Sequence, residues 1–294
     1  MKSCILCEKS DFFIKNYFNN FKKKIIKIII YKFYLDKVLK LLSNKLYSKL
    51  TSGEEIFLFK KILICKNCNL GSVYPLIDNK TLEHYYSKNY WLDHRNMTEV
   101  DTVINEKETE IFLKKSNYLK KYTSFKDKNF AEFGCGRGVF ATEILNNKEV
   151  KIYNGIELSE ISVPKKLLLN SSFKNLKSLD LINENSIDIF IMIQSIEHIS
   201  NINTFFQKLK KKLKKKSLVF IETPNYNKQY FKYRSGWPPH TLFFNIRSIE
   251  FLAKKFNFKI IDLQLIDGSW SQLSSQIKKE KNEESHNLRV LLKN

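Results

Sequence analysis

The sequence predicts an α/β fold built on an open, doubly wound, mainly parallel sheet. Three observations carry that reading. An apolar run ending at Phe133 enters a glycine-rich turn and leaves as a helix-like run. Strand-like and helix-like segments then alternate as far as Ile221. Polar or acidic residues recur where each strand would end. Alternation of this kind builds parallel sheets, and ligands of such sheets settle at the carboxyl ends of the strands.

The first strand is carried by Phe130, Ala131 and Phe133. The turn is Glu132-Phe133-Gly134-Cys135-Gly136-Arg137-Gly138, and Val139 to Leu145 reads as the following helix. Its spacing is Gly-x-Gly-x-Gly, tighter than the Gly-x-Gly-x-x-Gly loop that cradles a pyrophosphate. The turn therefore fits a nucleoside-type ligand with no phosphate at this point, or a purely structural strand–helix turn. Ile152 to Ile156 is a second strand closed by Glu157, which lies 19 residues after Gly138. That is close to the offset of about twenty residues at which an acid accepts from ribose hydroxyls. Leu176 to Leu179 reads as a short third strand ending at Asp180. Ile187 to Ile193, interrupted only by Asp188, reads as a strand buried on both faces. Asn203 to Lys214 has a helical period in Phe205, Phe206, Leu209 and Leu213. Ser217 to Ile221 is a fifth strand. Gly134, Glu157, Asp180, Gln194 and Thr223 then share one edge of the sheet.

From about Phe130 to Ile260 the chain resembles the class I S-adenosylmethionine-dependent methyltransferases. The segments that carry the resemblance are AEFGCGRG, NGIELS, SIDIFIMIQSIEHI, LVFIETPN and PPHTLFFNIRSIEFLAKKFNF. It implies a Rossmann-like seven-stranded sheet whose last strand is antiparallel, with Lys259 to Leu265 and Leu288 to Leu292 as the final two strands. It also implies S-adenosylmethionine as cofactor. Glu132 would meet the methionyl end, Glu157 the ribose, and Asp180 the adenine, with Glu184 as the alternative for the last. Gly134, Cys135, Gly136, Gly138 and Gln194 would complete the cofactor site. Cys135 fits a Gly-Cys-Gly variant of the loop as a small packing residue. Lys214-Lys215-Lys216-Ser217 replaces the Pro-Gly-Gly of many relatives in a turn facing away from the cofactor.

Cys4-x-x-Cys7 and Cys65-x-x-Cys68 form two chelating pairs. Two intervening residues let both sulfurs of a pair reach one tetrahedral ion, so four thiols suit structural zinc. Free thiols or a redox pair are the alternatives. Nothing resembles a signal peptide, which argues against disulfides and for a cytoplasmic protein. The order of cysteine knuckles, a bridge from Pro75 to the segment Tyr85-Tyr86-Ser87-Lys88-Asn89-Tyr90-Trp91, and then the sheet resembles one branch of these methyltransferases. Relatives of that layout modify sugars, surface-polysaccharide precursors or secondary metabolites. Some carry a further C-terminal domain and methylate carbon; without it here, oxygen is the expected acceptor atom. The expected organisation is a zinc-knuckle module over 1–75 with a helical insertion at about 10–60, a helical bridge over 76–125, and the methyltransferase domain over 126–294.

Methyl transfer to a hydroxyl also needs a proton removed, and imidazole suits that near neutral pH. His240, in Trp237-Pro238-Pro239-His240, is the preferred base. His198 is the second candidate, with a structural role as its alternative. Trp237, Tyr226 and Tyr233 are candidates to line the acceptor pocket, or plain core. His84 and His94 are placed to flank the cofactor entry.

Lys+Arg of 51 against Asp+Glu of 30 gives a net charge of +21. Such a charge raises nucleic acid or anionic membrane as partners. Lysines are scattered through every segment, however, and arginine, the usual base-reading residue, is scarce. Gln194-Ser195-Ile196-Glu197-His198 also stands where amino-directed nucleic-acid enzymes place a Pro-Pro-aromatic signature. Residues 12–50 are apolar and basic, with Lys24, Lys27 and Lys32 breaking any run of membrane length. They read as a helical cap or as a face for an anionic lipid surface. The reading taken is an enzyme acting on a small, sugar-like hydroxylated acceptor. A nucleic-acid methyltransferase and a non-catalytic zinc-stabilised binding protein are the alternatives.

Overall fold

A computed structural model describes residues 3–16, 60–90, 106–146, 149–159, 162–227, 240–266 and 287–294. Seven strands form the main sheet: β4 (Asn129–Phe133), β5 (Ile152–Ile156), β6 (Phe173–Leu176), β7 (Ile187–Ile193), β8 (Leu213–Pro224), β10 (Lys259–Ile266) and β11 (Asn287–Lys293). Their order is β6-β5-β4-β7-β8-β11-β10. β4 to β8 pair in parallel, while β11 enters antiparallel between β8 and β10. The doubly wound sheet with an antiparallel last strand is therefore the observed architecture.

The apolar run of β7 is explained by two cores. Ile189, Ile191 and Ile193 face one with Phe130, Phe140 and Phe220, and Phe190 and Met192 face the other with Phe206, Ile221 and Leu252. Covering helices lie on both faces: α2 (Glu106–Lys120), α3 (Val139–Leu145), the short α4 (Lys165–Leu168), α5 (Ile202–Lys212) and α6 (Ile246–Lys255). Asn201 caps α5 by accepting from the Thr204 N–H at 3.1 Å. Asn245 and Ser248 close a reciprocal capping box at the start of α6. Such caps satisfy amide donors that a helix start leaves open.

Two segments differ from the sequence expectation. α5 stops at Lys212 because Leu213 already pairs with Ile187 in the sheet, so Lys214–Lys216 belong to β8 and not to a turn. The third strand lies earlier, at Phe173–Leu176, and Asp180 falls in a 3-10 turn over Leu179–Leu181. Ser178 caps that turn through the Asp180 N–H, drawing the chain away from the sheet.

A second, antiparallel sheet has the order β1-β2-β3-β9: β1 (Phe12–Asn16), β2 (Lys61–Cys65), β3 (Gly71–Tyr74) and β9 (Leu242–Phe243). The stretch read as helix from Phe12 onward thus begins as a strand; residues 17–59, and with them most of the candidate lipid-facing stretch, lie outside the described residues. Cys4, Leu6, Cys65, Cys68 and Leu70 pack in the same core as α5 and α6, so the knuckles and the main sheet share buried surface. The bridge begins as α1 (Asn79–His84) and widens into a π-helical turn over Tyr85–Asn89. No helix among the described residues is long and apolar enough to cross a membrane.

Candidate active site

A cleft of about 690 Å³ opens along the carboxyl edge of the main sheet. One half of its lining is the glycine loop. Gly134, Gly136 and Gly138 all take positive φ, at 69°, 53° and 65°. A Cβ on Gly134 would stand 2.8 Å from the Ser195 Cβ, so the loop end of β4 fits against the turn after β7 only without a side chain. The loop is clamped from β5. Ile156 O accepts from the Gly134 N–H at 2.8 Å, and Glu157 Oε2 accepts from the Gly136 N–H at 2.9 Å. Glu157 Oε1 accepts from the Ser159 N–H at 3.0 Å. A carboxylate has about four acceptor positions, so capacity remains for a diol.

Glu132 is 3 % exposed and accepts from the Tyr153 hydroxyl at 2.6 Å. Burial, opposed by that hydrogen bond and assisted by the charge of Glu157, pushes its pKa up to about 8. Cys135 is buried beside these carboxylates and its thiol is pushed well up, which makes it an inert packing group. Gln194 lines the cleft with φ 51°, its N–H held by Glu222 O at 2.8 Å. Asp180 lines the cleft as well and pairs with Lys208 at 2.7 Å, whereas Glu184 is not among the lining residues. Arg137 turns to Glu108 of α2, joining the loop to that helix.

The far half of the cleft gathers Tyr86, Tyr90, Glu197 and His198. The Tyr86 hydroxyl lies 2.6 Å from His198 Nδ1, and the His198 ring meets the ring of His240 edge-on with centroids 5.0 Å apart. His240 is 2 % exposed, and its Nε2 lies 4.0 Å from Glu197 Oε1. Glu197 Oε2 accepts from the Thr223 hydroxyl at 2.9 Å. Burial outweighs that bond and lifts the Glu197 pKa to about 8. The two candidate bases thus stand together, His198 lining the cleft and His240 buried against it and not among the lining residues, with Glu197 and Tyr86 as partners that the sequence reading left without a role. Long-range pairings of this kind leave no periodic signal; the doublet Glu197-His198 and the spacing of Tyr86 and Tyr90 were the available hints.

Other candidates fall elsewhere. Tyr226 donates to Asn69 O at 2.7 Å, beside the second knuckle, and is not among the cleft-lining residues. His84 is exposed on α1 and does not line the cleft. Trp237, Tyr233 and His94 lie outside the described residues.

The four knuckle cysteines converge. Sγ–Sγ distances are 3.5 Å for Cys4–Cys68 and 3.3 Å for Cys7–Cys65, and all four sulfurs lie within 4.8 Å of one another. Tetrahedral zinc with Zn–S bonds of about 2.3 Å sets sulfurs about 3.8 Å apart, so the donor set fits that ion. The knuckles are alike in backbone. Cys4 O accepts from the Glu8 N–H and Cys65 O from the Asn69 N–H, and both acceptor loops turn at positive φ, 64° and 61°.

A Rossmann-like sheet of this order, with a glycine loop and two acids at its carboxyl edge, is the architecture that the resemblance to class I methyltransferases implies, with a ligand expected at that edge. Residues 105–263, over half of the chain, match the family described as methyltransferase domain, and the chain belongs to that family. Among curated proteins it is similar to the ubiquinone biosynthesis O-methyltransferase of two strains of Rickettsia bellii. The identity is 28 % over 130 residues, covering 40 % of this chain and 54 % of the relative. The chain therefore spans about half the length of the curated relatives it matches. Among solved structures it is similar to geranyl diphosphate C-methyltransferase from Streptomyces coelicolor, crystallised with Mg2+, geranyl diphosphate and S-adenosyl-L-homocysteine. That similarity has a TM-score of 0.56 at 10 % identity, over 74 % of this chain and 99 % of the other, and it bears on the fold.

Proposed function

We propose that the protein is an S-adenosylmethionine-dependent methyltransferase that methylates oxygen on a small hydroxylated acceptor, a sugar, nucleotide sugar or surface-glycan precursor, and that Cys4, Cys7, Cys65 and Cys68 hold structural zinc. What carries this reading is one cleft lined from the Glu132–Glu157 glycine loop to Tyr86, Glu197 and His198, with His240 buried against His198 and Glu197 and not among the lining residues. The bound cofactor supplies an activated methyl group, so the chain's task is alignment and proton removal. Glu157 is the ribose acceptor, Glu132 the group at the methionyl end, and Asp180 with Gln194 the adenine side. His240 is the preferred base, held against Glu197. The matched O-methyltransferase supports oxygen as the acceptor atom. Uncharged and aromatic groups at the far half, including Asn79, Tyr86, Tyr90 and Asn201, suit a hydroxylated molecule better than a polyanion.

The test is calorimetric titration with S-adenosylmethionine and S-adenosylhomocysteine. One-to-one binding near micromolar, about −8 kcal/mol, supports the reading. No binding by folded, metal-loaded protein turns it toward a non-catalytic scaffold. His240→Ala should slow turnover about a hundredfold or more with cofactor affinity unchanged, since general-base loss ordinarily costs about 10²–10⁴-fold. Equal turnover in the variant removes the base role.

Glu132 gives a pH prediction. Its folded pKa of about 8 stands above the value of about 4.3 expected unfolded. Between those values the folded chain keeps a proton that the unfolded chain has lost. The contribution to stability is greatest below the unfolded pKa and is lost as pH rises through about 8. The melting temperature of ligand-free protein should therefore fall over this window more steeply than that of Glu132→Gln. Parallel pH profiles for the two proteins would refute it. For the metal, gently purified protein should contain about one zinc per chain, released by a chelator with loosening of the N-terminal sheet. Absence of metal removes zinc from the assignment.

A further inference from the structure

The hydrogen bonds around the second knuckle lead to the acceptor side of the cleft. Asn69, next to Cys68, takes the Tyr226 hydroxyl on its carbonyl at 2.7 Å and on Oδ1 at 2.9 Å. The same carbonyl receives Asn245 Nδ2 at 3.5 Å. Tyr226 follows β8 and Asn245 opens α6, so both ends of the connection between them rest on one knuckle residue. β3 then pairs with that connection directly: Gly71 stands opposite Phe243 and Ser72 opposite Leu242. The approach is close, because a Cβ on Gly71 would lie 2.9 Å from Phe243 Cβ. One residue on, the Val73 N–H donates to Thr241 O at 3.0 Å. Thr241 in turn donates its N–H to Glu197 O and its hydroxyl to Glu197 O and Ile199 O, each at 2.9 Å.

We infer that the four-thiol centre is a positioning device for His240: its metal-bound state fixes Asn69 and β3, these fix Thr241 against the turn that carries Glu197 and His198, and His240 is placed as a consequence. The inference rests on reading the thiols as a zinc centre and the far half of the cleft as the acceptor side. Gly134, Gly136 and Glu157 are held by Ile156, Ser159 and one another within the main sheet. The device therefore acts on the acceptor half and spares the cofactor half. The physical drive is plain. Without an ion, sulfurs at 3.3–3.5 Å lose the charge that holds them together, and the binding energy that orders the knuckles is withdrawn. A packed hydrogen-bonded chain passes that loss on to β9.

Histidine imidazole NMR on the 294-residue chain, labelled at its five histidines, tests this without an acceptor. Signals are assigned with His240→Asn and His198→Asn. Chelation should shift or broaden the His240 and His198 signals, zinc should restore them, and His84 should stay unchanged. Affinity for S-adenosylhomocysteine should be the same in both states. Thr241→Val should keep its zinc yet move His240. Metal-loaded and metal-free proteins with identical His240 signals overturn the inference alone, as does a Thr241→Val variant whose His240 does not move. Loss of S-adenosylhomocysteine binding in step with the metal overturns it in favour of general unfolding. A protein that carries no metal overturns it together with the zinc reading.

Discussion

Replacing Glu157 by alanine should raise the dissociation constant for S-adenosylmethionine roughly a hundredfold, about 3 kcal/mol, with the fold retained. Two effects add. The ribose loses an ionised acceptor, and charge-assisted hydrogen bonds are each worth about 1.5–3 kcal/mol. The glycine loop also loses its clamp, because Oε2 accepts from the Gly136 N–H and Oε1 from the Ser159 N–H. Glu157 lies past the end of β5 and its side chain bonds to the Gly136 and Ser159 amides, so circular dichroism and the melting profile should change little. Glu157→Gln keeps one acceptor oxygen and should fall between the two. Calorimetry decides: unchanged affinity in the alanine variant takes Glu157 out of the ribose role.

The largest effect on stability should come from Glu222→Leu, at about 3–5 kcal/mol. Glu222 is 1 % exposed on β8 and binds Lys115 of α2 and Arg289 of β11. Arg289 Nε lies 2.6 Å from Oε1. The carboxylate thus ties a helix and the antiparallel strand to the centre of the sheet. Removing it leaves two cations facing each other, one of them almost fully buried. Burial already lowers the Lys115 pKa and Glu222 opposes that fall, so the variant should also release the lysine proton more readily. Adding Lys115→Met should recover part of the loss, as coupled pairs do in double-mutant cycles. Urea unfolding is the measurement, and a loss under about 1 kcal/mol would mean the network is solvated and weak.

How much was legible depended on whether the cause was local. β7 and α3 were read at the observed bounds because their signals, an unbroken apolar run and a glycine-delimited amphipathic stretch, are complete within the segment. The cysteine pairs were legible because the x-x spacing fixes the knuckle. The 57 residues between them are no obstacle, since β1 and β2 pair on either side. β6 was misplaced because its start is set from outside: Phe173 stacks on Tyr153 of β5, a contact no period in its own segment announces. The end of α5 was missed for a similar reason, since lysines 210–212 and 214–216 look alike until Leu213 is paired. At the site, Glu157 was singled out by its place after a strand and Glu132 by the family resemblance, and both line the cleft with Asp180. The partnership of Tyr86 with His198 spans 112 residues and arises only from folding.

The pairing of Asn16 with Lys61 has an evolutionary consequence. Asn16 and Lys61 stand opposite each other in the small sheet, so residues 17–60 connect neighbouring positions that a two-residue turn could join. Closing such a loop in place of a two-residue turn costs only about 3 kcal/mol of chain entropy, because the penalty grows with the logarithm of length. Each doubling of that connection adds only about 0.6 kcal/mol to the closure cost. Differences in its length between lineages are therefore cheap for the sheet that carries the cysteine pairs.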